Sequence, residues 1–197
     1  LTISLQVLNL NQLPQVFNLN LSGTEDTNLS ITLEGFDNDQ GDQLNFIVES
    51  SPTNGTLSGS GKNLIYSPRA NYFGSDLFTY RASDGQGTSE LATVTIVIAP
   101  VNDPPVLILP AEQTFRYGTS FVIEIRATDV EPDQTLRITT GQLPSGVSFS
   151  QTQPGAGVLS WKPTTSQIGS HTITFSVTDN GLPPATTSGI LRVNIQP

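Results

Sequence analysis

An internal repeat is the feature of this sequence that most limits its possible folds. Residues 78–85 read FTYRASDG, and residues 173–179 read ITFSVTD, at an offset of 95 residues. Both segments alternate apolar and polar side chains, as a strand with one buried face does, and both reach an aspartate, Asp84 or Asp179. A turn and another alternating segment follow each of them. A repeat of this length predicts two tandem copies of one β-structured domain.

Turn-forming residues divide each copy into seven candidate strands. In the first copy they are predicted at 16–21, 28–36, 43–49, 55–58, 62–66, 76–82 and 90–99. In the second copy they are predicted at 112–116, 120–128, 135–140, 147–150, 157–161, 171–178 and 188–196. Seven short strands in about 95 residues are typical of an immunoglobulin-like sandwich. No apolar pattern of helical period is long enough to predict a helix.

Segments that end in asparagine and proline indicate where one domain gives way to the next. The strand-like stretch 94–99 leads into VNDPP at 101–105, and a similar stretch at 3–9 leads into LNQLP at 10–14. Because proline fixes φ and cannot donate to a ladder, these connectors should be short and stiff. We predict the last strand or linker of a preceding domain at 1–12, one sandwich at 13–101 and a second at 102–197.

Composition narrows the choice of partners. The net charge is −9, and Lys62 and Lys162 are the only lysines. Nucleic acids and anionic membranes are therefore poor partners, because phosphate contacts need clustered Lys or Arg. No apolar run approaches the roughly 20 residues of a membrane helix, so direct membrane insertion is not expected. We expect the fragment to be a monomer whose nearest partners are neighbouring repeats of the same chain.

Acidic residues collect at the ends of the predicted strands. In a seven-strand sandwich, alternate loops fall at the same end, so two acidic loops of the second copy should lie beside its incoming linker. The far end of the first copy should face this joint. The predicted joint site comprises Glu25, Asp76, Asn102, Asp103, Asp129, Glu131, Asp133 and Asp179. An equivalent half-site at the N-terminal face of the first copy comprises Asp37, Asp39 and Asp84, with Asp42 and Asn11 nearby.

Such clusters need compensation, because carboxylates within about 5 Å of one another repel by a few kcal/mol at moderate dielectric. Ca²⁺ suits them, since it accepts six to eight oxygen ligands with tolerant geometry. The sequence has no cysteine and one histidine, which argues against zinc or copper. The alternative is that these Asp, Asn and Gly residues are ordinary turn formers.

Particular motifs carry a family resemblance over nearly the whole chain. The first copy resembles the cadherin-like tandem repeat of large bacterial surface proteins, through EDT at 25–27, NYFGSDLF at 71–78 and VNDPP at 101–105. The second copy resembles an immunoglobulin-like, dystroglycan-type cadherin domain, through LPSGVSF at 143–149 and LSWKP at 159–163. The implied fold is all-β, with two tandem immunoglobulin/cadherin-like Greek-key β-sandwiches.

The resemblance also implies a calcium site, because cadherins bind calcium at domain joints. Asn102 and Asp103 match the linker Asn-Asp of that site, Asp129 and Glu131 match its Asp-x-Asp, and Asp179 matches its late aspartate. Glu25 and Asp76 match the acids of the preceding domain less closely. Pro100 and Pro104 depart from the linker pattern, so we expect one or two ions at most.

We therefore expect a non-enzymatic structural and adhesive module of a long extracellular protein, secreted or on a bacterial cell surface. Its joint should be stiffened by calcium, and its further partner should be a cell-surface protein or polysaccharide. The alternative is a glycan-binding accessory module of a secreted polysaccharide-degrading enzyme. That alternative needs exposed aromatic residues, for which Tyr72, Phe73 and Tyr117 are the candidates. His171 is expected to be a hydrogen-bonded residue at the edge of the core and not a catalytic base.

Overall fold

The computed structural model describes residues 10–39 and 41–197, and the strand predicted at 3–9 lies outside these ranges. Within them the chain forms seventeen β-strands and one turn of 3-10 helix at Thr165–Gln167. Two compact units meet between Val101 and Asn102, and we call them unit 1 and unit 2. Among the described residues, no helix has the length and apolar content to cross a bilayer.

Unit 1 contains strands β1 to β9. They are β1 Gln15–Val16, β2 Leu19–Thr24, β3 Leu29–Thr32, β4 Gly35–Phe36, β5 Asn45–Ser50, β6 Gly55–Ser60, β7 Asn63–Pro68, β8 Gly74–Ser83 and β9 Ala92–Ala99. One sheet has the order β2-β9-β8-β5, a second has the order β3-β7-β6, and β1 pairs with β4. The β2–β9 pair is parallel, and the other pairs of this unit are antiparallel.

Unit 2 contains strands β10 to β17. They are β10 Val106–Ile108, β11 Gln113–Arg116, β12 Phe121–Thr128, β13 Arg137–Thr140, β14 Val147–Gln153, β15 Ala156–Trp161, β16 Gly169–Thr178 and β17 Thr186–Gln196. One sheet has the order β10-β12-β15-β14 and the other β11-β17-β16-β13. The prediction of an all-β chain with two tandem sandwiches is confirmed.

Each unit has its own core between its sheets. In unit 1, Tyr66 on β7 and Phe78 and Tyr80 on β8 are fully buried. In unit 2, Leu159 on β15 and Phe175 on β16 occupy the same kind of position. The alternating sequence explains this, because side chains at every second strand position point to the same face.

Aromatic side chains contribute to the core of unit 2 and its edge. Trp161 is buried, and the half-buried Phe121 packs against the same core. His171 Nε2 lies 2.7 Å from the carbonyl oxygen of Gln167, and its ring meets Trp161 edge-on. His171 is thus a hydrogen-bonded residue at the edge of the core, as its strand parity predicts.

Three details of the strand prediction are wrong. The strand predicted at 16–21 spans the end of β1 and the start of β2. The strand predicted at 28–36 is two strands, because β3 pairs with β7 whereas β4 pairs with β1. Gly35 permits the second pairing, since a Cβ at this position would lie 2.8 Å from the carbonyl oxygen of Gln15. Strand β10 was not predicted, because its three residues are too few to show an alternating pattern.

Asp76 on β8 is a buried carboxylate whose hydrogen bonds lie within unit 1. Oδ1 accepts from the backbone N–H groups of Thr53 and Leu77, both at 2.9 Å. Oδ2 accepts from the N–H of Asn54 at 2.8 Å and from the Tyr66 hydroxyl at 2.9 Å. Burial alone would raise the pKa of Asp76, but these donors outweigh it and the pKa lies below its usual value.

Replacing Asp76 by Asn should destabilise unit 1 by about 3 kcal/mol, because a carboxylate that accepts four bonds becomes an amide that is half donor. Since the folded pKa is lowered, the wild-type contribution is present above pH 4 and is lost as the pH falls below it. Urea unfolding of wild type and Asp76→Asn at neutral and acid pH measures both effects. Trp161, the only tryptophan, reports unit 2 as an internal control. Equal midpoints for unit 1 in the two proteins would contradict this role.

Candidate metal centres

Asn102, the first residue of unit 2, connects the linker to two loops through side-chain hydrogen bonds. The Asn102 amide nitrogen donates to Asp179 Oδ2 at 3.2 Å and to the carbonyl oxygen of Pro183 at 3.0 Å. Its amide oxygen accepts from Gln134 Nε2 at 2.5 Å. Gly181 makes room for this side chain, because a Cβ there would overlap Asn102 Oδ1. The linker residue is therefore fixed within unit 2.

Next to Asn102, several side-chain oxygens are buried without a hydrogen-bond donor. Asp129 Oδ1 accepts from the N–H of Glu131 at 3.2 Å, and Glu131 Oε1 lies 3.4 Å from the N–H of Asp103. The other oxygens of these two acids, Asp129 Oδ2 and Glu131 Oε2, have no partner, and neither does Gln134 Oε1. Buried oxygens of this kind are costly unless a proton or a cation meets them.

The electrostatics of Glu131 show this cost. Burial raises the pKa of Glu131, and the neighbouring Asp129 carboxylate, which would share the proton, raises it further, to about 7. At neutral pH and without a cation, the neighbouring carboxylates of Asp129 and Glu131 therefore lack a compensating positive charge.

Asp179 is the opposite case, because its oxygens are satisfied. Oδ1 accepts from the N–H groups of Gly181 and Ala185, both at 2.9 Å. Oδ2 accepts from the Asn102 amide at 3.2 Å and from the N–H of Ala185 at 3.1 Å. Burial acts to raise the pKa of Asp179, but these donors lower it below the usual value. The aspartate therefore positions the linker and the last loop.

The N-terminal face of unit 1 repeats this arrangement. The Asn11 amide donates to Asp84 Oδ2 at 3.0 Å, as Asn102 does to Asp179. The N–H of Gln12 donates to Asp39 Oδ2 at 2.6 Å, as that of Asp103 does to Glu131. The N–H of Asp39 donates to Asp37 Oδ1 at 2.8 Å, which leaves Asp37 Oδ2 buried without a donor, as Asp129 Oδ2 is.

Unit 1 has one further carboxylate in this region, that of Asp42. One oxygen from each of Asp37, Asp42 and Asp84 lies within 4.8 Å of the others, the only such set among the described residues. Partial desolvation, followed by repulsion from Asp37, Asp39 and Asp84, raises the pKa of Asp42. The pKa of Asp84 is lowered, chiefly by the N–H of Gly87 and the amide of Asn11. Asp84 thus positions the linker, as Asp179 does.

The remaining predicted ligands have other surroundings. Glu25 is buried, and its Oε1 accepts from the N–H of Val101 at 2.6 Å, which holds the chain just after β9. Asp76 is occupied by the four donors described above, and Asp133 is exposed. A role of Glu25 and Asp76 in a site shared with unit 2 stays a prediction.

Sequence reasoning missed Gln134. It lies five residues after Asp129, donates to Asn102 and presents a bare buried oxygen beside the two acids. Its position in the acidic loop was a usable signal, because the amide oxygen of glutamine is a hard ligand like a carboxylate oxygen.

Two family models match successive parts of the chain. Residues 11–97 match the family model described as Bacterial Ig domain, and residues 104–195 match the model described as Putative Ig domain. The comparison with curated proteins finds no match.

Solved structures of cadherin repeats share the fold. The chain is similar to protocadherin gamma B2 extracellular cadherin domains 3-6, with a TM-score of 0.57 and 15% identity over 93% of this chain and 47% of that chain. It is also similar to human CDH23 EC21-23, with a TM-score of 0.56 and 16% identity over 94% of this chain and 70% of that chain. An endo-fucoidan hydrolase of glycoside hydrolase family 107 aligns with a TM-score of 0.41 and 21% identity over 92% of this chain and 28% of that chain.

In chelator, unit 2 should lose stability as the pH rises from about 4.5 to about 7, because the folded pKa of Glu131 is raised and the folded state binds the extra proton. Urea unfolding followed by Trp161 fluorescence measures this slope. Glu131→Gln, which stays neutral, should flatten it, whereas the control Glu112→Gln at an exposed position should not. A slope of the same size in Glu131→Gln would contradict the assignment.

Proposed function

We propose that this chain, a tandem pair of immunoglobulin-like domains similar to cadherin repeats, is a structural and adhesive segment of a longer extracellular bacterial protein. Each unit binds calcium at its N-terminal end. The ion fixes the linker that enters the unit and thereby stiffens the joint between consecutive domains. The segment is non-enzymatic, in line with domains of these families, which are typically non-catalytic.

One observation carries the proposal: the same bare oxygen recurs in both units. Asp37 Oδ2 and Asp129 Oδ2 are each buried, and each belongs to a carboxylate whose other oxygen accepts from the N–H two residues later. One such oxygen could be an accident of packing. Two in the same place, each beside a second acid, indicate a compensating cation, because an uncompensated buried charge costs several kcal/mol.

The available ligands favour calcium. In unit 2 they are the bare oxygens of Asp129, Glu131 and Gln134. In unit 1 they are the converging oxygens of Asp37, Asp42 and Asp84. Carboxylate and amide oxygens are hard ligands, and calcium accepts them without strict geometry. Cadherin repeats, whose fold this chain shares, bind calcium in general.

The stiffening follows from the linker and does not need acids from the preceding unit. Glu25 and Asp76 already accept hydrogen bonds within unit 1, so we leave both out of the proposed ligand set. Asn102 and Asp103 instead bring the linker into the site of unit 2 through Asp179 and Glu131. Ion binding at this site therefore removes freedom from the residues that join the units.

The aromatic residues expected for the alternative, glycan binding, give it little support. The Tyr72 hydroxyl donates to the carbonyl oxygen of Ser75 at 2.7 Å and its side chain is half-buried. Phe73 and Tyr117 are exposed, but they belong to different units and neither has an aromatic partner among the ring contacts of the described residues.

Calorimetric titration with calcium should show one site per unit, with dissociation constants of about 10⁻⁴ to 10⁻³ M. Asp37→Asn and Asp129→Asn should each remove one site. Millimolar calcium should stabilise unit 2, read by Trp161 fluorescence, by about 1.4 kcal/mol if its site binds at 10⁻⁴ M. The matched control Asp133→Asn, at an exposed position in the same loop, should keep both sites. Titrations of Asp37→Asn and Asp129→Asn that match the wild type would contradict the proposal.

A further inference from the structure

Unit 1 has an open cleft that extends beyond the proposed calcium ligands Asp37 and Asp42. Its volume is about 720 Å³, and it lies beside the N-terminal face of the unit. The apolar part of its wall comes from Leu33, Leu44 and Phe46, which are buried or half-buried, and from Phe17 and Phe36, which are not.

Phe17 and Phe36 form a stacked pair on the surface. Their ring centroids are 5.9 Å apart with an interplanar angle of 22°, and the residues are 45% and 41% exposed. Elsewhere in unit 1, the large rings Tyr66, Phe78 and Tyr80 are fully buried. A pair of aromatic rings left in water loses hydrophobic stabilisation, so an exposed stacked pair in a cleft is a feature of ligand sites.

The backbone holds this pair firmly. Phe36 lies in β4 opposite Gln15 of β1, and Phe17 follows β1 directly. The Tyr80 hydroxyl, which comes from the core, donates to the carbonyl oxygens of Phe17 at 2.7 Å and Glu34 at 2.9 Å. The two rings are therefore held in place before a ligand binds, which lowers the entropic cost of binding.

Hydrogen-bond donors and acceptors line the cleft around the Phe17–Phe36 pair. Lys62, one of the two lysines in the chain, contributes donors, and the Thr32 hydroxyl, which donates to Asn63 Oδ1 at 3.5 Å, can accept. The Glu34 carboxylate contributes acceptors, and the proposed calcium ligands Asp37 and Asp42 border the cleft. An exposed aromatic surface such as the Phe17–Phe36 pair, with donors and acceptors around it, fits a sugar ring. A sugar ring has an apolar C–H face and hydroxyl groups around its rim.

We infer that this cleft binds a neutral saccharide chain, with one sugar ring packed against the Phe17–Phe36 pair. Neutral sugars are favoured over a cationic ligand because calcium at Asp37 and Asp42 would cancel the excess negative charge and leave Glu34 balanced by Lys62. The inference rests on the proposed function in that respect only. Tyr72, Phe73 and Tyr117, which the sequence offered as glycan candidates, do not line this cleft.

The test is a titration of isotope-labelled protein in millimolar calcium with cellohexaose, xylohexaose, mannohexaose and maltohexaose, followed by ring-proton shifts in NMR spectra. At least one of these probes should give saturable shifts at Phe17 and Phe36. Phe36→Ala should weaken its binding by about tenfold or more, since a stacked ring is lost. The matched control Phe73→Ala, which removes an exposed ring outside the cleft, should leave the affinity unchanged.

Three outcomes would overturn the inference: no saturable shift with any of the four sugars, equal loss of affinity in Phe36→Ala and Phe73→Ala, or ring shifts with tetramethylammonium and with none of the sugars. Thermal unfolding of each variant separates loss of the cleft from loss of the fold. The two proposals fail separately, because calorimetry of Phe36→Ala with calcium should still show both ion sites. Sugar binding without any calcium isotherm would support the cleft and reject the proposed function.

Discussion

The structure of the ends of both units depends on one constraint: a buried carboxylate oxygen needs a hydrogen-bond donor or a cation to compensate its charge. Asp76 meets it with four donors from its own unit, and Asp179 meets it with backbone N–H groups and the amide of Asn102. Asp37 and Asp129 meet it only in part, because each leaves one oxygen bare. The difference separates carboxylates whose oxygens are all hydrogen-bonded from the carboxylates that we propose as cation ligands.

The two linker contacts give this constraint a role in domain organisation. In each unit an asparagine just before the sandwich donates to a late aspartate, and the next N–H points to the second acid of the early acidic loop. The chain thus enters each sandwich through its own acidic end. Under the proposed function, a cation bound there would act on the linker and the loops together, and a weakly bound ion would restrict the linker without dominating the stability of the domains.

Much of the fold could be predicted from alternation and turns, because strands such as β8, β9 and β16 bury every second side chain. The break between β3 and β4 could not, since it depends on the close approach of Gly35 to the backbone of Gln15, which no local pattern records. The acidic residues show the same division. The placement of Asp129, Glu131 and Asp179 beside the linker of unit 2 follows from their loop positions, whereas the internal bonding of Asp76 depends on the neighbouring loop at Thr53 and Asn54. Charge alone does not tell a structural carboxylate from a ligand.

The central claim is that divalent cations complete the bare oxygens of the two units. Anomalous diffraction from crystals grown with millimolar calcium, or with Tb³⁺ as its substitute, tests this most directly. The account predicts one strong peak in each unit, at about 2.3–2.6 Å from Asp37 Oδ2 and from Asp129 Oδ2. Maps without a peak at either position, in which both oxygens meet only water or a protein donor, would contradict it.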